Sequence, residues 1–185
     1  LAFFRWTVAT VVLLPFAVRH MRRDWAIIRK DLPLLLLTSL LGVTFFNSLL
    51  YKGAQSTTAL NLALISTTFP VFIIVFSRIA YGEPVTPRRM LGTALAVGGV
   101  VALVTEGDFG RLASLSFRPG DIWMLLAALD FALYSMLVKR RPPEMGQFAF
   151  LGFTFLAGLA MLLPIMLLEQ QFAPWPQASW PLFWA

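Results

Sequence analysis

Side chains capable of chemistry are few in this sequence, and the most unusual of them is the carboxylate of Asp130. It is the only carboxylate in the apolar segment 122–138. If this segment crosses a membrane, a charge at its centre costs ~2.5–3.5 kcal/mol on insertion scales. Asp130 should therefore face an interior and have a partner.

The surroundings of Asp130 on a helix suggest what that partner is. Trp123, Ala127 and Tyr134 share one helical face with it, at a spacing of i, i+4, i+7 and i+11. This mixture of aromatic and polar groups suits an amphipathic solute better than lipid. We predict that Asp130 faces a central cavity and binds a substrate or a proton. The alternative is a protonated Asp130 that hydrogen-bonds to a neighbouring helix.

A proline interrupts another apolar segment, 58–80. Pro70 cannot donate a hydrogen bond to the carbonyl of Ser66 and clashes with it, so a kink is predicted there. The hydroxyls of Thr67 and Thr68, with that of Ser66, can satisfy the freed backbone groups. The kink is either a packing feature or a hinge whose hydroxyls line a substrate path.

Three further polar residues lie in apolar segments. Asn47 and Asn61 are amides, which usually hydrogen-bond across helices when buried in a membrane. Contact between helices and the lining of a cavity both remain open for them. Arg5 either contributes to the cavity or extends its charged head to the outer interface.

Small residues recur on one face of the segment 90–105. Gly92, Ala96 and Gly99 follow a spacing of i, i+4 and i+7. Because small residues let helix backbones approach closely, this stripe predicts contact with another helix rather than a ligand site.

Enzyme motifs are absent from the sequence. It has neither an H-E-x-x-H nor a G-x-S-x-G string, and a single histidine and no cysteine exclude the usual metal sites. Asp121 and Asp130 would lie ~13 Å apart along one helix, so they cannot form the facing pair of an intramembrane aspartyl protease. We predict no metal, no bound cofactor and no enzyme. A membrane-embedded enzyme and a non-transporting scaffold or lipid-binding protein remain the alternatives.

Composition places the chain in a membrane. Of its 185 residues, 58% are hydrophobic and 13% charged, whereas soluble domains have about 45–50% and about 25%. The net charge of +6 comes from bases in short connections between apolar segments, so no nucleic-acid partner is predicted.

Apolar segments of the length that a membrane requires recur along the chain. A spanning helix needs about 20 largely apolar residues, and lipid offers no partners for unpaired backbone groups, so each segment should be helical. The fourth segment is short, and we expect it to extend at its ends or to pack within the bundle. The predicted segments are 1–18, 32–50, 58–80, 90–105, 122–138 and 148–168, with a seventh beginning at 180–185.

Successive connections between the apolar segments are alternately rich and poor in basic residues. Arg22 and Arg140 belong to rich connections, whereas the second connection holds only Lys52. By the positive-inside rule, 19–31, 81–89 and 139–147 are predicted to be cytoplasmic. The strings "FRWTVATVVLLP" at 4–15 and "FTFLAGLAMLLP" at 153–164 would then cross in opposite directions, as in the inverted repeats of many transporters.

Several strings resemble those of a known family. "LLYKGAQSTTA", "TTFPVF" and "YGEPVTPRRMLGTALAVGGV" are similar to the EamA-type transporters of the drug/metabolite transporter superfamily. The resemblance implies an all-α, polytopic membrane bundle, part of a ten-helix fold of two inverted five-helix repeats. Residues 1–105 would be helices two to five, 106–121 an extracytoplasmic linker, and 122–185 helices six, seven and the start of eight. The chain would then be truncated at both ends.

The resemblance also implies a function. Members of this family export or exchange small metabolites, such as amino acids, or drug-like solutes, so alternating access in a bacterial inner membrane is expected. Candidate partners are the small-molecule substrate, protons, membrane lipid and a second copy of the chain. The family often has an arginine where Arg5 stands. It does not reliably have an acid at Asp130, beside the aromatic that appears here as Phe131, so an Asp130 role is expected in a subgroup.

Overall fold

The computed structural model describes residues 2–105, 108, 110 and 116–172, and every regular element in these ranges is helical. A π-helical segment, Leu40–Phe45, joins α3 to α4 without a break. The α-helices are α1 (Ala2–Arg23), α2 (Trp25–Lys30), α3 (Leu32–Ser39), α4 (Phe46–Ala54), α5 (Ala59–Ser66), α6 (Thr68–Tyr81), α7 (Pro87–Thr105), α8 (Pro119–Lys139) and α9 (Gln147–Phe172).

Five of the predicted segments form helices long and apolar enough to cross a membrane. Within the described ranges these are Ala2–Arg23, Leu32–Ala54, Ala59–Tyr81, Pro119–Lys139 and Gln147–Leu168. The fourth predicted segment is part of α7, which begins three residues earlier, at Pro87, and is not among these five. The segment predicted to begin at 180 lies outside the described residues.

Two groups of contacts organise the bundle. α1 packs along α9, while α8 packs against α4, α6 and the π-helical segment. The apolar cluster of Ile28, Leu35, Met145, Ala149 and Phe150 closes one end of the bundle. α7 contacts only α5 and α6 among the described elements.

The connections meet in the two groups that the loop charges predict. The backbone N–H of Gly146 donates to the Asp24 carboxylate at 2.8 Å, and Lys139 donates to Glu83 at 2.8 Å. These bonds bring 19–31, 81–89 and 139–147 to one end of the bundle, which we call the basic end. At the opposite end Gly120 lies so close to Gly53 that a Cβ on Gly120 would overlap the carbonyl oxygen of Gly53. That the basic end faces the cytoplasm stays a prediction.

The two similar strings lie in the helix pair α1 and α9. Trp6 and Phe155 occupy equivalent positions, each the third residue of its string. Their rings meet edge to face, with centroids 4.7 Å apart. The inverted repeat that the two strings predict is not tested by this single contact and stays a prediction. The ten-helix arrangement itself stays a prediction.

Candidate functional site

Asp130 is buried within α8. Its side chain belongs to a residue only 8% exposed, and its Oδ2 atom has no hydrogen-bond partner among the described residues. A buried carboxylate oxygen without a partner is costly, since its hydration is lost and nothing replaces it. The position is therefore one where a proton, a cation or a donor from elsewhere would be strongly favoured.

The stripe that carries Asp130 faces the continuous helix Leu32–Ala54. Near one end of the stripe, a Cβ on Gly53 would lie 3.5 Å from the Cβ of Trp123. Near the other, the ring of Tyr134 fills the space over Gly42, where a Cβ would overlap it. Asp130 lies between these contacts. Among the described residues the stripe is thus partly a helix–helix contact, and its exposure to a central cavity stays a proposal.

The close approach of Tyr134 occurs at an irregular part of the backbone. Gly42 lies in the π-helical segment Leu40–Phe45. Single π-helical turns inside α-helices are frequently found at functional sites. The sequence analysis did not identify Gly42, whose lack of a side chain is what admits the Tyr134 ring.

Aromatic rings form a cluster beside the Asp130 turn. Phe131 stacks on Phe69 with centroids 5.4 Å apart, and lies 5.2 Å from Phe46 and 5.7 Å from Tyr134. These separations are in the usual range for favourable aromatic pairs. The cluster brings α4, α6 and α8 together at one level. The sequence predicted Tyr134 here but missed Phe46 and Phe69, although Phe69 directly precedes Pro70.

Arg5 and Asn47 contact each other. The Arg5 Nη2 atom donates to the side-chain oxygen of Asn47, and the guanidinium lies 5.6 Å from the ring centroid of Tyr51. Asn47 in turn donates to the carbonyl of Val43 at 2.6 Å. Arg5 is therefore tied to α4. Arg5 is nevertheless an exposed residue, so its cavity role and its interface role both stay predictions.

A small cavity of about 180 Å³ lies next to this arginine. It has polar groups from Ser48, Tyr51 and Gln55 and apolar walls from α1 and α9. Tyr51 both lines the cavity and carries the Arg5 guanidinium over its ring. A solute anion that entered the cavity would thus find a cation nearby.

Asn61 belongs to a hydrogen-bonded junction at the end opposite the basic end. Asp121, only 2% exposed, accepts from the Thr57 hydroxyl, from Asn61 Nδ2 at 2.8 Å and from the Arg118 backbone N–H at 2.8 Å. Of the two roles left open for Asn61, contact between helices is the one that the structure shows. From the sequence, Asp121 was considered only as a protease residue, but an acid in the first turn of α8 is a typical helix-capping signal.

Lys52 and Trp123 mark the same end. The Lys52 ammonium lies 4.5 Å from the centroid of the Trp123 ring, a favourable cation–π distance. Trp123 is half-buried beside the Gly53 contact, so it lies near the end of α8 rather than deep in the bundle.

The helix is interrupted close to the proline that predicts a kink. α5 ends at Ser66 and α6 begins at Thr68, so the break falls three residues before Pro70. The Thr67 hydroxyl donates to the carbonyl of Leu64 at 2.6 Å, and that of Thr68 to the carbonyl of Ile65 at 2.7 Å. Both hydrogens are used within the helix, so these threonines can only accept from a solute. The hinge role of Pro70 stays a prediction.

The small-residue stripe of α7 is uncovered. Gly92, Ala96 and Gly99 are exposed, and no atom of the described residues lies within 4 Å of a Cβ placed on either glycine. The predicted helix contact is therefore not formed within the described part of the chain. The physical reason is that α7 turns its half-buried side, with Thr93 and Val97, toward the bundle.

A second polar cluster, at the basic end, escaped the sequence analysis. Glu83 accepts from Lys139 at 2.8 Å and from Arg89 at 3.2 Å, and Tyr81 donates to the carbonyl of Met136 at 2.7 Å. The hydrogen bonds from Lys139 and Arg89 hold the pKa of the Glu83 carboxyl below its usual range. This cluster joins α6 to the end of α8. Glu83 stands in the string "YGEP", within a connection rich in basic residues, and this acid was the signal from which an ion pair could have been predicted.

Groups of acidic, histidine or cysteine residues that could hold a metal ion are not found in the ranges that the structure describes. Asp130, Arg5 and the aromatic cluster stay the candidates for binding a solute.

Comparison with known proteins identifies a family. Residues 1–105 match the EamA-like transporter family. Relatives include two uncharacterized transporters of Bacillus subtilis, YetK (28% identical over 165 residues) and YdfC (31% over 164), matched over 89% and 88% of this chain and 50% and 51% of their own length. A probable terminal-alkyne amino-acid exporter of Streptantibioticus cattleyicolor is 27% identical over 176 residues, 90% of this chain and 54% of the exporter.

The chain spans about half the length of these curated relatives. No solved structure matches it. With five helices in its described part long and apolar enough to cross a membrane, and a family match over 105 of its 185 residues, it is a multi-pass membrane protein. The chain belongs to the EamA-like transporter family.

Proposed function

We propose that the protein carrying this chain moves a small metabolite across the membrane by alternating access, and that Asp130 binds the solute or a proton during each cycle. The observation that carries the proposal is the buried Asp130 Oδ2 atom, without a partner among the described residues. Family membership supports transport, and one relative is named as an amino-acid exporter. Intramembrane ionisable residues in transporters commonly belong to substrate or proton paths.

The chemistry around Asp130 favours a solute with a positive or hydrogen-bond-donating group and an apolar part. An amino acid or an amine-bearing, drug-like molecule fits that description, because its ammonium group would complement the carboxylate. The rings of Phe131 and Tyr134 lie next to it in α8 and offer apolar surface. Arg5 offers a cation for a solute carboxylate, at the α1–α4 contact.

Alternating access requires that helices separate at one face at a time, and the polar contacts of α8 are suited to this. Asp121 joins α8 to α5 at one end, while Lys139 joins it to Glu83 at the other. The break at Thr67 lies between these two attachments. We include in the proposal that 1–105 and 122–185 belong to two inverted halves, with 106–121 connecting them, and that the basic end is cytoplasmic.

The test uses the full-length protein in liposomes and a panel of radiolabelled amino acids and organic amines. Asp130→Asn removes the charge at nearly constant size, so the rate should fall at least tenfold and its dependence on pH should flatten. Asp130→Glu should retain part of the activity.

The matched control is Asp108→Asn, which changes an acid at an exposed position and should transport like the parent. If Asp130→Asn leaves rate, affinity and pH profile unchanged, Asp130 is structural and its proposed role is wrong. If no solute in the panel is accumulated or exchanged by the parent protein, the transport proposal loses its support.

A further inference from the structure

An apolar groove of about 420 Å³ opens between α1 and α9 at the basic end of the bundle. Val18 and Met21 on α1 and Leu156 on α9 form its wall, while Arg22 and Trp25 stand at its mouth. Leu156 lies nine residues into α9, ~13 Å from the start of that helix, and it is the α9 residue that lines the groove. Its volume is in the range of about 300–1,000 Å³ that is typical of small-ligand sites.

The mouth of the groove carries positive charge that the described residues leave uncompensated. Arg23 is paired with Asp24 at 2.8 Å, but Arg22 has no acidic partner in the described part of the chain. Trp25 is 47% exposed, and the guanidinium of Arg29 lies 5.5 Å from its ring centroid. An arginine and an exposed tryptophan therefore lie beside the entrance to this apolar groove.

We propose that this groove binds one anionic phospholipid of the adjacent leaflet. The guanidinium of Arg22 would donate hydrogen bonds to the phosphate, a pairing that arginine geometry favours. Trp25 begins α2, two residues after α1 ends at Arg23, and tryptophan side chains are enriched where membrane helices meet lipid headgroups. One acyl chain would lie along Val18, Met21 and Leu156. Basic pockets between membrane helices on the cytoplasmic side are known to take such headgroups.

This site is separate from the proposed solute site. Its lining comes from α1, from α9 and from Trp25 at the start of α2, whereas Asp130 is on α8. The lipid would bridge α1 and α9, the two helices that carry the similar strings. We therefore expect it to stabilise their packing and not to compete with the solute.

The experiment is a lipid titration of the full-length protein in detergent, followed by native mass spectrometry. The probes are phosphatidylglycerol, phosphatidylcholine and inorganic phosphate. Arg22→Gln should lower the affinity for phosphatidylglycerol about fivefold, the factor that corresponds to about 1 kcal/mol per basic residue at a charged membrane surface. Leu156→Trp, which fills the groove, should lower the affinity for both lipids. The exposed Arg88 provides the control Arg88→Gln, which should bind like the parent.

Three outcomes would overturn the proposal. One is an Arg22→Gln variant whose phosphatidylglycerol affinity stays within twofold of the parent. Another is an equal loss in Arg88→Gln, since that would indicate a diffuse surface effect. The third is displacement of the lipid by millimolar inorganic phosphate, which would identify a site for free anions. Arg22 is exposed, so its replacement should leave folding intact, and the result does not depend on Leu156→Trp.

Discussion

Replacing Asp121 with alanine should weaken the junction between α5 and α8 more than any surface substitution. The carboxylate accepts from the Thr57 hydroxyl, Asn61 Nδ2 and the Arg118 N–H. In the alanine variant the Thr57 hydroxyl can rotate toward another acceptor. Asn61 Nδ2 keeps its bond to the Ser116 carbonyl at 3.1 Å but loses the partner of its second hydrogen. The exposed Arg118 can bond to water through its N–H, so the buried Asn61 donor is the one left without a partner, and we expect a loss of about 1–3 kcal/mol.

The assay is reversible unfolding of the full-length protein in mixed micelles, followed by tryptophan fluorescence. Asp121→Asn keeps the shape and one acceptor oxygen, so its loss should be smaller than that of Asp121→Ala. Asp108→Ala, at an exposed position, serves as the control. In a double-mutant cycle with Asn61→Leu, the double variant should lose less unfolding free energy than the sum of the two single losses, because both substitutions remove one shared interaction.

The reasoning is refuted if Asp121→Ala unfolds within about 0.5 kcal/mol of the parent, the range of ordinary surface substitutions. It is also refuted if the losses at Asp121 and Asn61 are fully additive, because the two groups would then not be coupled.

Three further predictions address other parts of the molecule. Gly120→Ala places a Cβ against backbone atoms that cannot move aside, so it should cost about 1–3 kcal/mol of unfolding free energy. The control is Gly98→Ala, whose Cβ would have no described atom within 4 Å and which should not destabilise the protein. The pKa of Glu83 is depressed by its basic partners, so its contribution to stability should be present above about pH 4.3 and fall away as the pH drops through the lower folded-state value. Melting temperatures against pH should show a larger loss in the parent than in Glu83→Gln, which keeps the depressed Asp24 carboxyl. In the cysteine-free chain, Arg22→Cys should resist an impermeant maleimide added to intact cells while Lys52→Cys is labelled, and the opposite pattern would overturn the topology.

Helix positions were predictable from the sequence because lipid imposes a local rule. A segment must supply its own backbone partners over the full membrane thickness, so length and apolarity suffice to place five of the spans. The break before Pro70 is local in the same sense, since a missing N–H and a steric clash act within one turn.

The partners of the polar residues were not predictable, because they depend on how helices associate. Asn61 and Asp121 are 60 positions apart, and Lys139 and Glu83 are 56 apart. Composition gave the stripe of Trp123 and Tyr134 its polar and aromatic character, but not the helix that it faces. The stripe of Gly92 and Gly99 shows the same limit, since small residues permit close approach without choosing a neighbour.

The attachment of α8 at both ends has a consequence for leakage. Its polar contacts at Asp121 and Lys139 are separated by 18 residues, or ~27 Å of helix, and can be expected to break independently. A conformation open at one face loses one set of bonds, whereas a continuous pore would lose both at once. Such a pore would thus be the least populated state. Under the proposed alternating access, the same pair of contacts would let a solute pass and keep the membrane electrically tight, so we expect measurable flux without single-channel currents.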